Sequence, residues 1–360
     1  MKAKNKKKEA EKTKKTNVKA EKKKVKNPDK APNFNLIKKK TQTYYEHIQK
    51  IKAEVGKVVV GQDVVLNELF HGLLAGAHVL VEGVPGTAKT LTIRALAAAT
   101  GCKYSRVQFT VDLLPTDITG ITAYEEKKGF YILKGPIFAN LVIADEINRA
   151  PPKTQSALLE AMQEHQVTIG KKTFKLEEPF FVMATQNPIE TEGTYVLPEA
   201  QLDRFLFKLL IGYPKPEEEE KILLKNISLK SFDDYNIRPV IGPSRILEMQ
   251  RFVKEEIYLK PNIKKYIVDI IEATRKPEKY NIELGRYIEL GASPRASIGL
   301  FIASKVEALL QNSFFVTPDH VKKVAHNVMR HRVLVNYEGQ AEGITSDKVI
   351  DEILSKVKLP

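Results

Sequence analysis

Two short strings in this chain carry residue types that could do chemistry. Residues 80–90 read LVEGVPGTAKT and residues 141–146 read LVIADE. In the first, an apolar run leads into Gly83 and Gly86, and then into Lys89 and Thr90 at the head of a helical pattern. Backbone N–H groups of such a loop wrap phosphates, the lysine neutralises them, and the threonine hydroxyl can hold Mg²⁺. In the second, an apolar strand ends in Asp145 and Glu146. One acid can hold the metal ion while the other activates water. The pair points to hydrolysis of a nucleoside triphosphate. The usual loop has glycine immediately before the lysine, and here Ala88 stands in that place. By itself the string also fits a Gly-Pro-Gly turn ahead of an ordinary helix. Asp145 and Glu146 at the end of a later apolar strand favour the phosphate reading, because both acids then share one edge of a parallel sheet with the loop.

The elements that would position these groups follow from periodicity. Ordered structure is expected from about Thr41, where Tyr44, Ile48, Ile51 and Val55 fall at helical spacing. Apolar runs at 78–83, 104–109, 141–146, 180–187 and 205–212 read as five strands separated by helical patterns. Strands apolar throughout and alternating with helices predict a parallel five-stranded sheet covered on both faces. Two stretches break the rhythm. Residues 121–135 and 167–178 each read as a hairpin inserted between core strands. Such insertions carry partner or substrate contacts, or decorate the fold. From Pro214 the pattern turns helical, over 217–228, 244–256, 262–276, 294–311, 318–335 and 346–357, with Asp319 and Ser346 or Thr345 as helix caps. The expected organisation is a lysine-rich tail (1–40), an α/β nucleotide-binding domain (41–213) and a helical lid domain (214–360).

Composition narrows the function. The 360 residues are 42% hydrophobic, with one cysteine and a net charge of +14. Residues 1–40 hold 17 lysines against four acids, so nearly all of the charge lies in a tail expected to be disordered. The near-neutral remainder argues against a nucleic-acid motor. The tail is either a solvated extension or a weak tether to anionic lipid, as on a membrane, or to nucleic acid. No apolar run is long enough for a membrane span, and no signal peptide is recognisable, so a cytoplasmic location is expected. The seven histidines are scattered without H-E-x-x-H, and Cys102 reads as a buried structural thiol.

Further polar residues fall where a triphosphate would need them. Gln186 and Asn187 end the fourth strand, and an amide there can position water. Arg204 precedes the fifth strand and Arg295 opens a lid helix, in GASPRAS. Arginine suits phosphate charge. The alternatives are an Asp203–Arg204 surface pair and a solvated helix start.

Taken together, GVPGTAKT, LVIADEINRAPPKTQSALLEAMQE, ATQNPIETEGTYVLPEAQLDRF and GASPRA resemble the MoxR family of AAA+ ATPases, from about residue 44 to 357. That family's loop also carries alanine before its lysine. The resemblance implies a P-loop NTPase (AAA+) fold, ATP/ADP with Mg²⁺, and a ring, expected to be a hexamer. It implies that Gly83, Val84, Pro85, Gly86, Thr87, Ala88, Lys89, Thr90 and Leu91 surround the phosphates, with Val60 and Gly61 flanking adenine. Thr90 and Asp145 would hold Mg²⁺, Glu146 would polarise water, and Asn187 would be the first sensor. Arg204 would be an arginine finger reaching the neighbouring subunit, and Arg295 the second sensor, on the lid. The role of Arg149 is left open. The two hairpins would face the ring's central opening. Clients would be proteins bearing a von Willebrand factor A domain, and the task would be chaperone-like complex assembly or metal-cofactor insertion. The alternative is a nucleic-acid motor of the related helicase branch.

Overall fold

The three most deeply buried strands of the chain lie side by side, and this places the chemistry-bearing residues along one edge. A computed structural model gives the fold. It describes residues 34–360 except 62, 85, 87, 128, 188–192, 214–215 and 227–231, and leaves aside the side chains of 224–226. The lysine-rich segment 1–33, Pro85 and Thr87 therefore lie outside the described residues. The opening helix, α1 (Phe34–Val55), begins before the expected Thr41. Lys38, Lys39 and Lys40 are good helix formers and extend it N-terminally. Residues 38–360 form one compact unit.

Next come α2 (Asp63–Ala75), β1 (Val79–Gly83), α3 (Lys89–Ala99) and β2 (Tyr104–Gln108). A short helix, α4 (Pro115–Thr119), leads into the first inserted hairpin, β3 (Gly120–Glu125) and β4 (Gly129–Lys134). Then follow β5 (Leu141–Asp145), α5 (Pro152–Glu164), the second hairpin of β6 (Gln166–Ile169) and β7 (Lys172–Lys175), β8 (Phe181–Gln186), α6 (Glu199–Leu202) and β9 (Phe207–Ile211). The five core strands pair in parallel in the order β2-β5-β8-β1-β9. Because β8 sits between β1 and β5, the carboxyl ends of these three strands are neighbours, where ligands bind in open α/β sheets.

Apolar continuity in these strands reflects burial on both faces. Leu80, Val142, Val182 and Ala184 belong to the same buried cluster as Leu158, Leu159 and Met162 of α5. On the other face, α2 approaches so closely that a Cβ on Gly72 would lie 2.5 Å from Val79 and 2.6 Å from Phe181. Cys102 is buried, and burial pushes its thiol up to about 11, so it is an inert core residue.

The C-terminal region is helical: α7 (Pro216–Asn226), α8 (Pro243–Glu255), α9 (Pro261–Arg275), α10 (Pro294–Leu310), α11 (Pro318–Met329), α12 (Tyr337–Ala341) and α13 (Ser346–Lys356). The helical pattern over 318–335 stops at Met329, and Leu334–Val335 pairs antiparallel with Ile288–Leu290. Arg330 and Arg332, just past the helix end, donate to the carbonyls of Lys208 and Leu206 and turn the chain onto the sheet domain. The helix start is also revised: Thr317, not Asp319, caps α11, accepting from His320 N while His320 Nδ1 accepts from Thr317 N. Thr345 caps α13.

The helical region is tied to the sheet region by more than the chain crossing. His71 of α2 meets Glu307 of α10 at 2.9 Å, Gln250 Nε2 donates to Leu73 O at 2.6 Å, and Lys40 pairs with Glu256 at 2.8 Å.

Candidate active site

A cavity of about 390 Å³ opens at the carboxyl ends of β1, β5 and β8. Gly83, Gly86, Ala88, Lys89, Thr90 and Leu91 line it from the loop and from α3. Asp145, Glu146 and Asn187 face them across it. Thr185 and Gln186 complete the wall.

The loop is shaped by close packing. Gly83 is paired with Ile211 of β9, and a Cβ there would lie 2.4 Å from the Ile211 carbonyl, so only glycine fits. Ala88 adopts the left-handed conformation (φ 55°, ψ 19°) just before α3 begins. That is where the usual pattern has glycine, and the backbone keeps the glycine conformation although the residue is alanine. Lys89 Nζ donates to Gly83 O at 2.5 Å, which folds the loop over its own lysine. Burial lowers the Lys89 pKa, while the charges of Asp145 and Glu146 oppose that shift.

The two acids are held separately. Asp145 is the last residue of β5, whereas Glu146 leaves the strand in the left-handed region (φ 58°, ψ 51°). Thr185 connects them: its hydroxyl donates to Asp145 Oδ1 at 2.7 Å and accepts from Glu146 N at 2.8 Å. The neighbouring strand β2 supplies two further contacts. Arg106 approaches Asp145 Oδ2 at 2.7 Å, and Gln108 Nε2 donates to Glu146 Oε2 at 2.9 Å. Arg149, whose place was open, forms an ion pair with Glu146 at 3.1 Å. Behind this turn, buried Gln155 donates to the carbonyls of Ile147, Ala150 and Tyr195. Thr185, Arg106, Gln108 and Gln155 support the two acids and their turn, and the sequence reading missed them. A signal was present for two of them, since Arg106 and Gln108 alternate with apolar Val107 on an edge strand.

The donor set suits a nucleotide with Mg²⁺. Among the described residues no cluster of three or more His, Cys, Asp or Glu side chains could hold a metal ion unaided. Mg²⁺ needs no such cage, because it takes one or two protein oxygens together with water and substrate phosphates. Thr90 and Asp145 offer those oxygens on the cavity wall.

Other expected residues lie elsewhere. Gly61 (φ 69°) packs against α7, where a Cβ would lie 2.8 Å from Glu218, so the stretch around Val60 and Gly61 borders the helical region. Val84 is half-buried and does not line the cavity. Neither Arg204 nor Arg295 lines it. Arg204 is exposed, and its Nη1 donates to Leu159 O at 3.3 Å. It sits with Arg295 on a separate groove of about 480 Å³ between the sheet and helical regions. The Asp203–Arg204 pair does not form. Asp203 instead binds Arg295 at 3.3 Å and Arg332 at 2.7 Å.

With this geometry established, likeness to known proteins becomes informative. Residues 78–207 match the profile of the ATPase family associated with various cellular activities (AAA), and residues 284–353 match the AAA lid domain. The chain is 44% identical to the protein named Chaperone MoxR1 of Mycobacterium tuberculosis, over 85% of this chain and 81% of that one. The chain belongs to the MoxR family of AAA+ ATPases. It is also 45% identical to the YeaC protein of Bacillus subtilis, over 85% of this chain and 92% of that one. A crystal structure of a candidate ATPase from Cytophaga hutchinsonii superposes with a TM-score of 0.84 at 42% identity, covering 91% of this chain and 99% of that chain. The α/β AAA+ fold with a C-terminal helical lid is thereby established, and with it a chaperone-like AAA+ ATPase family. Among the described residues no helix is long and apolar enough to cross a membrane.

Proposed function

We propose that this chain hydrolyses ATP in the cytoplasm with Mg²⁺, as a ring whose active sites are completed across subunit interfaces. One observation carries the reading. Lys89, Asp145, Glu146 and Asn187 converge on one cavity, whereas the exposed Arg204 lies on another face of the same molecule. An arginine so placed reaches phosphate only on a second copy, and such a finger makes turnover depend on assembly.

Each residue then has a definite task. The loop amides and Lys89 hold the β- and γ-phosphates. Bound through Thr90, Asp145 and the phosphates, Mg²⁺ would neutralise charge on the triphosphate. Glu146 accepts a proton from water as the water oxygen attacks the γ-phosphorus and the bond to the bridging oxygen breaks. Asn187 orients that water. Arg204 of the adjoining protomer stabilises the charge that develops. Family resemblance supports six subunits, and clients with a von Willebrand factor A domain whose assembly or metal-cofactor insertion needs work. The first hairpin suits a client contact: the rings of Tyr124 and Phe130 meet at 5.1 Å, tilted to each other, and are 64% and 80% exposed.

Mixing subunits tests the proposal. Rings of Arg204→Ala alone or Glu146→Gln alone should turn over slowly, and mixed rings should recover part of the rate. No recovery in mixed rings that demonstrably form would refute a finger acting across the interface. Capture of clients by the ATP-loaded Glu146→Gln ring tests the remodelling role.

A further inference from the structure

One carboxylate organises the groove that holds Arg204. Asp203 is mostly buried and receives three side chains from the helical region. Ser293 Oγ lies 3.0 and 3.2 Å from its two oxygens, Arg332 Nε donates to Oδ1 at 2.7 Å, and Arg295 Nη1 to Oδ2 at 3.3 Å.

The two arginines are held very differently. Arg332 is 3% exposed, and its remaining donors reach the carbonyls of Asp203 (3.1 Å), Phe205 (2.6 Å), Leu206 (3.1 Å) and Val328. It cannot leave without stranding buried donors. Arg295 is half exposed, and its side chain makes a single long contact with Asp203. An exposed pair of this kind is cheap to separate. Lys254 lines the same groove, so without the carboxylate the groove would gather only cations around Arg295.

We propose that Asp203 is a positioning residue, which parks Arg295 beside Arg204 until the triphosphate of an adjoining protomer displaces it. The proposal rests on the interface role of Arg204 given above. Phosphate carries more charge and more acceptor oxygens than a carboxylate, so it takes the loosely held guanidinium and leaves the saturated one. The exchange reaches the lid, because Ser293 both contacts Asp203 and caps α10 by accepting from Arg295 N at 3.2 Å. Occupancy of one site is thereby sensed at the start of a lid helix in the next protomer.

A double-mutant cycle with ATPase kinetics is the test. Asp203→Asn removes the competitor for Arg295 and should lower the KM for ATP about two- to fivefold, the equivalent of one exposed ion pair. In an Arg295→Gln background the same change should leave KM where Arg295→Gln put it. A merely structural Asp203 would reduce kcat equally in both backgrounds without moving KM, and that result overturns the proposal. If Asp203→Asn does not fold, hydrogen exchange on the Glu146→Gln ring decides. ATP should speed exchange in the first turn of α10 and ADP should not; equal protection with both nucleotides overturns the exchange. The Arg204 reading fails separately, through absent recovery in mixed rings.

Discussion

Thr185 holds Asp145: its hydroxyl donates to Oδ1 at 2.7 Å, and the same oxygen accepts the Glu146 backbone N–H at 2.8 Å. One side chain on β8 therefore fixes both Asp145, the proposed Mg²⁺ ligand, and the point at which Glu146, the proposed base, leaves its strand. Strand pairing makes this possible, since Ala144 lies opposite Ala184 and the next residue on each strand faces the cavity.

Thr185→Val keeps the shape but leaves the Glu146 N–H without its acceptor. Loss of such a supporting contact costs roughly ten- to a hundredfold in activity. The orphaned donor should also cost about 1–3 kcal/mol of stability. ATP binding through the loop and Lys89 should persist. Steady-state turnover and nucleotide binding measured on the same preparation check this, and unchanged turnover would remove Thr185 from the machinery.

Glu146→Gln and Lys89→Ala should separate turnover from binding. The amide cannot take a proton, so Glu146→Gln should bind ATP and lose most turnover. Lys89→Ala removes the cation folded over the loop by its bond to Gly83 O, and binding itself should fail. Equilibrium binding of a fluorescent ATP analogue distinguishes the two; equal affinity in both variants would contradict the assignment.

Ala88 carries a backbone cost. At φ 55° an L residue with a Cβ is strained by about 1–2 kcal/mol, while glycine there loses roughly 0.5–1 kcal/mol of unfolded-state entropy. Ala88→Gly should leave stability equal or slightly higher, with ATPase activity intact. Ala88→Val, β-branched at the same φ, should destabilise by more than about 1 kcal/mol. Paired denaturant titrations give both values.

The pattern of apolar runs made the sheet legible, because β1, β5 and β8 are buried on both faces and their sequence shows it directly. The loop and the two acids were legible for the same reason, as each ends such a run. Thr185 was not, since a threonine near the end of FFVMATQN looks like a strand finishing, and its partner is set by register with a strand 40 residues away in sequence. Arg204 and Arg295 could be named from residue type, but their shared groove depends on how α10 packs against α2, which no local pattern encodes. The 318–335 stretch kept helical spacing past Met329, and only the carbonyls waiting at Lys208 and Leu206 explain why the helix ends. His71 has Glu68 three residues before it, but its second partner Glu307 lies in α10, far along the chain, so the buried pair across the two regions could not be read.

That His71–Glu307 contact makes stability depend on pH. Burial opposes charge on His71, but the Glu68 and Glu307 carboxylates outweigh it and push its pKa up to about 9 from an ordinary 6.5. Burial likewise works against the Glu307 charge, yet His71, Lys323 and Gln311 hold that carboxyl well below the usual range. The raised histidine contributes stability that is complete below pH 6.5 and is lost as pH rises through about 9. The depressed carboxyl acts in the opposite direction, its contribution complete above 4.5 and lost as pH falls below that value. The joint optimum therefore lies between these two ordinary values, and alkaline destabilisation belongs to His71. Removing one partner of a buried pair costs about 3–5 kcal/mol, so His71→Phe should be strongly destabilised at pH 6. By pH 9.5 the difference from the unsubstituted chain should shrink, because the histidine has by then lost its proton in the unfolded state and most of it in the folded state. Denaturant unfolding of the two proteins at pH 6 and pH 9.5 checks the sign, and a gap that stays constant across this range would show that His71 acts by packing alone.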